Sequence, residues 1–390
     1  MTLHLARSAP APSTPAASTV PAPRPTAGPT PVGLLARLGL DAGWQQLHDA
    51  TPTIVLPGRP PFPARVTRTD RGACDLLAED GPVRATWGAD VVAAVAGDPL
   101  AVPSTGDWVR AQRWPDDRVT VEAVLPRRTA VVRAQARGTS SGQVLAANVD
   151  VVAVVEALYP DPDLGRVERF LALAWDSGAQ PRLVLTKSDL GPDGPELAAD
   201  VATAVGAGCA VDVPVALEDR GMEGLREVLA GGATVALVGA SGVGKSTLLN
   251  GLIGTDVMLT RTLGAVQKGR HTTVTRELHL TPGGGAVIDT PGLRSVGLQA
   301  GDGLADVFAD VEDLAPDCRF ADCAHDHEPG CAVRAAVDAG ELPERRLESW
   351  RKLQREAAWQ ERRVDARLRR EELQVWKART RAYRQRPGRP

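Results

Sequence analysis

A chain of 390 residues has room for two or three domains of ordinary size, roughly 100–200 residues each. Its formal net charge of −3 hides an asymmetry: from Arg345 to the end there are 16 Lys/Arg against 6 Asp/Glu, and the body before that point is correspondingly acidic. No run reaches the ~18–20 apolar residues of a membrane helix, and the N-terminus lacks the apolar core of a secretory signal, so a cytoplasmic, reduced protein with no membrane partner is expected.

Residues 1–32 are mostly Pro, Ala, Ser and Thr. Such a segment buries too little apolar surface to offset its ordering entropy, and it reads as a disordered extension. A short helix is expected around Leu34–Leu47. From Ala64 to Val124 the pattern changes to short alternating runs: Arg65-Val66-Thr67, Cys74-Asp75-Leu76-Leu77, Val83-Arg84-Ala85-Thr86-Trp87, Asp107-Trp108-Val109-Arg110 and Val119-Thr120-Val121-Glu122. Glu79-Asp80-Gly81-Pro82 is a hairpin turn signal. Five short strands over 60–128 suggest a small, OB-like β-barrel, with a β-sandwich fragment as the alternative.

From Asn148 onward, apolar strands alternate with helix-length stretches. Strands are expected at Val149–Ala157, Leu183–Thr186, Val211–Val215, Val235–Gly239 and Ala286–Asp289. Helices are expected at Arg166–Ser177, Glu196–Val205, Gly221–Leu229 and Lys245–Ile253. This alternation implies an α/β domain over 129–300, a mostly parallel sheet with helices on both faces. A Cys/His cluster follows in 301–345, and then a charged helical stretch from about Pro343 to Ala378 carries Trp350, Trp359 and Trp376. The basic helix and tail over 346–390 suit a polyanion such as RNA, or form a solvated helix; composition alone does not choose.

The segment Gly239-Ala240-Ser241-Gly242-Val243-Gly244-Lys245-Ser246 fits G-x-x-x-x-G-K-[ST]. An apolar strand precedes it and Thr247-Leu248-Leu249-Asn250 opens a helix after it, as a P-loop requires. The glycines let backbone N–H groups turn inward around phosphate oxygens, and the helix N-terminus adds partial positive charge. Lys245 is the expected β,γ-phosphate ligand, and the Ser246 hydroxyl is expected on Mg2+.

This loop alone does not separate GTP from ATP, or a hydrolase from a kinase. Asp289-Thr290-Pro291-Gly292 follows the strand Ala286-Val287-Ile288 and reads as a D-x-x-G switch, with Asp289 holding Mg2+ through water and the Gly292 amide sensing the γ-phosphate. Thr186-Lys187-Ser188-Asp189 resembles the guanine-reading N-K-x-D motif. A carboxylate there accepts from the guanine ring N–H and exocyclic amine, which adenine cannot offer. Thr186 stands where Asn is usual, so one contact from the base turn to the phosphate loop is weakened or made by a hydroxyl. An ordinary strand-end turn is the alternative for these four residues. In Gly269-Arg270-His271-Thr272-Thr273-Val274-Thr275, Thr272 and Thr273 are candidates to coordinate Mg2+ when γ-phosphate is present; a flexible polar loop is the other reading.

The order of these motifs is permuted. Base recognition precedes the phosphate loop, whereas an ordinary GTPase places it last. The same sheet can be built by joining the original termini and cutting elsewhere, since termini lie on the surface. The chain then passes from the switch directly into the C-terminal module.

Of five cysteines, Cys318, Cys323 and Cys331 fall close together, while Cys74 and Cys209 lie apart. With His325 they supply three thiolates and one imidazole, the donor set of a closed, structural zinc site. His327 is nearby and spare.

Taken together these residues resemble the circularly permuted ribosome small-subunit-dependent GTPase A family. The resemblance runs from about residue 60 to 380. It is carried by Leu145-Ala146-Ala147-Asn148-Val149-Asp150, the phosphate loop, Gly269-Arg270-His271-Thr272-Thr273, Asp289-Thr290-Pro291-Gly292, Cys318-Arg319-Phe320-Ala321-Asp322-Cys323-Ala324-His325 and Glu328-Pro329-Gly330-Cys331-Ala332-Val333. It implies an OB-fold, a permuted GTPase domain and a zinc-binding domain. It also implies GTP hydrolysis late in maturation of the small ribosomal subunit, rRNA as a partner, and stimulation by that subunit. A monomer is expected. Two departures stand out: Thr186, and Pro214-Val215-Ala216 where the base-contact loop usually reads Val-Ser-Ala. Leu293 follows the switch glycine where Ras-like enzymes carry a water-positioning Gln, so unassisted hydrolysis is expected to be slow, with His271 a possible helper. The rival readings are a P-loop kinase or ATPase, and a zinc-containing RNA-binding module with a vestigial nucleotide site.

Overall fold

The computed structural model describes residues 33–53, 55–133, 142–206, 208–254, 276–290 and 302–359. The Pro/Ala-rich extension lies outside them. No helix among the described residues is long and apolar enough to cross a membrane.

The expected N-terminal helix is two, α1 (Leu34–Arg37) and α2 (Ala42–Ala50). Asp41 starts the second by accepting the Trp44 N–H at 2.9 Å, an ordinary N-cap. Five strands follow: β1 (Phe62–Asp70), β2 (Ala73–Ala78), β3 (Gly81–Trp87), β4 (Trp108–Arg113) and β5 (Val119–Val124). They close into a barrel in the order β1-β2-β3-β5-β4, with β4 returning to β1. Only the β3–β5 seam is parallel. This is the five-stranded, OB-like closure that the alternating runs suggest. Alternate residues, among them Val66, Leu76, Ala85, Val109 and Val121, fill its interior. Helix α3 (Ala89–Gly97) bridges β3 and β4. The sequence reading missed it, because its Ala/Val run has no clear apolar stripe: Val91 is buried while its neighbour Val92 is 53% exposed.

Arg65 on β1 joins three parts of the chain. It is buried and donates to carbonyls of Leu38, of Gly106 at 3.1 Å and of Asn148 at 2.8 Å. Burial pushes its guanidinium down to about 10. Beside it, Gly106 has φ +95°, and a Cβ there would lie 2.1 Å from the Ala147 carbonyl oxygen. The barrel therefore meets the next segment at a distance that only glycine permits.

That segment is the hairpin β6 (Ala130–Arg133) and β7 (Gln143–Ala147), which leads into β8 (Val151–Ala157). The remaining strands are β9 (Gln180–Thr186), β10 (Ala210–Asp212), β11 (Thr234–Val238), β12 (Glu277–Leu280) and β13 (Ala286–Asp289). The main sheet runs β10-β9-β8-β11-β13-β12. All pairs are parallel except β12 with β13. Every residue of β8 and β11 is buried, the mark of a sheet covered on both faces. Val152, Val154, Ala236 and Ile288 face one core, and Val151, Val155, Val235 and Val287 face the other. The connections carry α4 (Leu164–Asp176), α5 (Gly194–Ala204), α6 (Glu223–Ala230) and α7 (Lys245–Ile253).

Short helices at Gly303–Val307, Ala309–Glu312 and Ala332–Asp338 follow, and then a longer one over 344–359. They dock on α4. The Gly303 N–H donates to Asp176 at 2.7 Å, and Arg169 pairs with Glu356 at 2.6 Å. Buried Glu168 accepts from Arg345 at 2.8 Å, from Arg346 at 2.9 Å, and from Ser349. The rest of the expected basic helix, with Trp376, lies outside the described residues.

Candidate functional site: a nucleotide cleft and a metal centre

Parallel pairing of β9, β8, β11 and β13 brings their carboxyl ends to one edge of the sheet. In open α/β sheets that edge is where ligands bind. The base-reading turn leaves β9, the phosphate loop leaves β11, and Asp289 ends β13. The permuted chain order is thus compatible with an ordinary spatial order.

The phosphate loop is shaped by positions no other residue would fill well. Gly239 has φ +155°, and a Cβ on it would lie 2.3 Å from the Val155 carbonyl oxygen of β8. Gly239→Ala should therefore destabilise the protein by more than ~1 kcal/mol, beyond the usual effect of a tolerated Gly→Ala change. Urea denaturation checks this, and an unchanged midpoint would contradict the close approach.

Lys245 begins α7 and is buried. Its Nζ donates to the carbonyls of Gly239 at 2.8 Å and Ala240 at 2.6 Å, which hold the ammonium at the mouth of the loop. Burial pushes its pKa down, against the fields of Asp289 and Glu156. Ser241, Gly242, Ser246 and Thr247 are exposed at the cleft, whereas Val243 packs inward with the core under α7.

The Thr186 substitution has a local answer. Its hydroxyl, buried at the end of β9, donates to the Val243 carbonyl at 2.5 Å, with the Glu156 carbonyl at 3.2 Å. The tie between base turn and phosphate loop is thus made by a hydroxyl. Lys187 takes a left-handed backbone at φ +61°, and Asp189 follows in a single 3-10 turn with its side chain exposed at the cleft. Glu156, 2% exposed behind this tie, pairs with Arg166 through two bonds of 2.6 and 2.9 Å. Nothing in the sequence flagged that pair. In the segment after Pro214, Val215 pairs with Arg220 across a tight turn that contains the single 3-10 turn Ala216–Glu218. Thr272, Thr273, His271, Gly292 and Leu293 lie outside the described residues.

The four expected metal ligands converge. One donor atom from each of Cys318, Cys323, His325 and Cys331 lies within 4.8 Å of every other. His325 Nδ1 is 3.4 Å from the Cys318 sulfur and 3.5 Å from that of Cys331, and the two sulfurs are 3.8 Å apart. Tetrahedral zinc with Zn–S near 2.3 Å sets its sulfurs about 3.8 Å apart, so these residues fit that ion. The surroundings hold the set in place. His325 is buried, takes φ +57°, and packs its ring 5.3 Å from that of Trp350. Its carbonyl accepts from Arg351. Burial pushes the imidazole pKa down, favouring the neutral form that ligates metals. Glu328 accepts three backbone N–H bonds, from Ala324, Asp326 and His327, which close the ligand loop. The His327 side chain is 91% exposed, consistent with its being spare.

Residues 124–299 match the RsgA GTPase family. A small ribosomal subunit biogenesis GTPase RsgA of Streptomyces coelicolor is 51% identical over 327 residues, covering 82% of this chain and 86% of that protein. The chain belongs to the RsgA family. A second relative of the same name, from Opitutus terrae, is 45% identical over 81% of this chain and 89% of its own. Among solved structures, YjeQ from Thermotoga maritima aligns with a TM-score of 0.56 at 25% identity, over 76% of this chain and 99% of that one. YloQ, described as a circularly permuted GTPase, aligns with a TM-score of 0.51 at 23% identity over 76% and 95%, and shares the fold.

Membership in a GTPase family decides between the readings left open by the phosphate loop: a kinase or ATPase, and a vestigial nucleotide site, are both set aside. The nucleotide is GTP, with GDP as product.

Proposed function

We propose that this chain hydrolyses GTP as a step in late maturation of the small ribosomal subunit, that it binds small-subunit rRNA, and that the subunit stimulates its turnover. The observation that carries the reading is the convergence of three motifs on one sheet edge, tied by the Thr186–Val243 hydrogen bond. We assign Asp189 and Lys187 to the guanine, and Lys245 with the loop amides of 239–247 to the phosphates. Ser246 and Asp289 would hold Mg2+, which supplies charge neutralisation at the β- and γ-phosphates. Thr272, Thr273 and Gly292 complete the γ-phosphate sensor. Cys318, Cys323, His325 and Cys331 would hold one structural zinc. The working parts are the barrel at 60–128, the nucleotide domain at 129–300, the zinc module at 301–345, and the basic helix and tail at 346–390. We expect a cytoplasmic monomer.

The deciding experiment is GTP turnover with and without purified small subunits. The residue after Gly292 is Leu293, which cannot orient water by hydrogen bonding. Unassisted turnover should therefore be slow, ~10⁻⁴–10⁻² s⁻¹. Small subunits should raise it at least tenfold, about 1.4 kcal/mol off the barrier. Residues 360–390 hold 11 Lys/Arg against 4 Asp/Glu, so removing them should weaken the stimulation and its salt sensitivity. The cut belongs after residue 359, because Arg345 and Arg346 are part of the packed body. An unaltered rate with subunits present would overturn the reading.

Guanine selection has its own test. Asp189→Asn should weaken GTP binding by ~1–3 kcal/mol and shift preference toward xanthine nucleotides. Equal affinity of the unaltered protein for ATP and GTP would sink the assignment of Asp189.

A further inference from the structure

We infer that a cavity between the barrel and the β6–β7 hairpin, headed by Arg276, binds a phosphate-class oxyanion. The cavity measures about 260 Å³. Its walls include Thr69 at the end of β1, Ser104 and Thr105 before β4, Gln143 and Leu145 on β7, and Arg276 immediately before β12. Among the described residues no carboxylate lines it.

Arg276 is half-buried, and among the described residues it has no ion pair or side-chain hydrogen bond. Burial pushes its pKa down, and the nearby charge of Arg133 pushes the same way. Among the described residues Arg133 reaches a neutral partner, the Gln143 side-chain oxygen at 3.0 Å. The carboxylate nearest in sequence to Ser104 and Thr105 is already committed. Asp107 is fully buried and accepts from the Ser104 N–H at 2.8 Å and from Arg127 through two bonds of 2.8 Å. Arg276 therefore heads a cavity whose described lining offers no counter-charge, with the charge of Arg133 nearby.

A partly desolvated, unpaired cation is costly, and a like charge beside it adds to that cost. An oxyanion relieves both at once. The planar fork of Arg276 suits phosphate oxygens taken two at a time. Its backbone is anchored for the task, because the Thr105 hydroxyl donates to the Arg276 carbonyl at 3.4 Å. The chemistry is that of a phosphate ester, from a polynucleotide backbone or from a small phosphorylated molecule. The inference does not depend on the ribosomal reading, since it rests on the lining of this cavity alone.

The test uses the full chain saturated with GDP, comparing the unaltered protein with Arg276→Gln, Arg276→Lys and Arg133→Gln. In one arm orthophosphate is titrated during thermal melts. In the other a single-stranded RNA oligonucleotide is titrated over a range of salt. Orthophosphate should raise the melting temperature of the unaltered protein more than that of Arg276→Gln. RNA binding by Arg276→Gln should be weaker by about three- to tenfold, with a salt slope lower by about one. Arg276→Lys should fall between, since it keeps the charge and loses the fork. A response in the RNA arm alone identifies a polynucleotide backbone, and one in the orthophosphate arm alone a small phosphate. If Arg276→Gln does not fold, Arg133→Gln is read in its place, with a smaller loss expected in the same arms. Equal responses of the variants and the unaltered protein in both arms would overturn the inference.

Discussion

Arg346→Met should cost about 3–5 kcal/mol of stability, far more than loss of a surface charge. Arg346 is 2% exposed. Its guanidinium bonds Glu168 at 2.9 Å, Asp310 at 2.7 and 2.9 Å, and the carbonyls of Val205 at 3.0 Å and Val307 at 2.8 Å. It also lies over the Phe308 ring, 4.4 Å from the centroid. One side chain thus satisfies groups on α4, at the end of α5, and on the two short helices after the switch. Methionine keeps much of the volume and none of the donors. It would leave buried Glu168 with only Arg345 and Ser349 among the described residues, together with two orphaned carbonyls. Urea denaturation measures the loss directly. A change below about 1 kcal/mol would mean that this cluster is not what fastens the C-terminal helices to the sheet.

Much of the nucleotide edge was legible because its chemistry is local. A P-loop needs its glycines, lysine and serine within eight consecutive residues, and buried parallel strands announce themselves as unbroken apolar runs such as Val151–Val155. The convergence of Cys318, Cys323, His325 and Cys331 was legible for the same reason, since they lie within one short loop. The barrel was legible in its alternation but not in its closure, since the parallel β3–β5 seam joins residues far apart in sequence. Hairpin β6–β7 and strand β12 were missed. Ala130–Arg133 and Glu277–Leu280 are four-residue strands with too few periods to register. Least legible were the buried charges. Arg65, Glu156, Glu168 and Arg346 look like solvent-facing residues of strands and helices, and only the fold brings their partners to them. Thr186 lies between these cases. Its departure from Asn was visible at once, but its compensation required the Val243 carbonyl, which a distant loop supplies.

Cys331→Ser should abolish stoichiometric zinc and lower the stability of the C-terminal module by several kcal/mol. Cys331 is buried, and besides its place in the ligand set it caps the helix Ala332–Asp338 by accepting the Arg334 N–H at 3.3 Å. The Cys/His cluster and the helix start are therefore one structure. Val333 and Ala336 on that helix, with Cys331 itself, belong to the same hydrophobic core as α4 and the short helices on it. An ion that binds only the folded ligand set stabilises it by about 2.7–4.1 kcal/mol at 100 to 1,000 times its dissociation constant. Structural zinc commonly exceeds that. Serine preserves the size of the side chain while removing the thiolate, so the loss would report ligation rather than packing. Chelation of the unaltered protein should reproduce the effect, and added zinc should reverse it. His327→Ala should do neither, because that side chain points into solvent. Purified protein without zinc, and a melting curve indifferent to chelator, would remove the metal from the account of this fold.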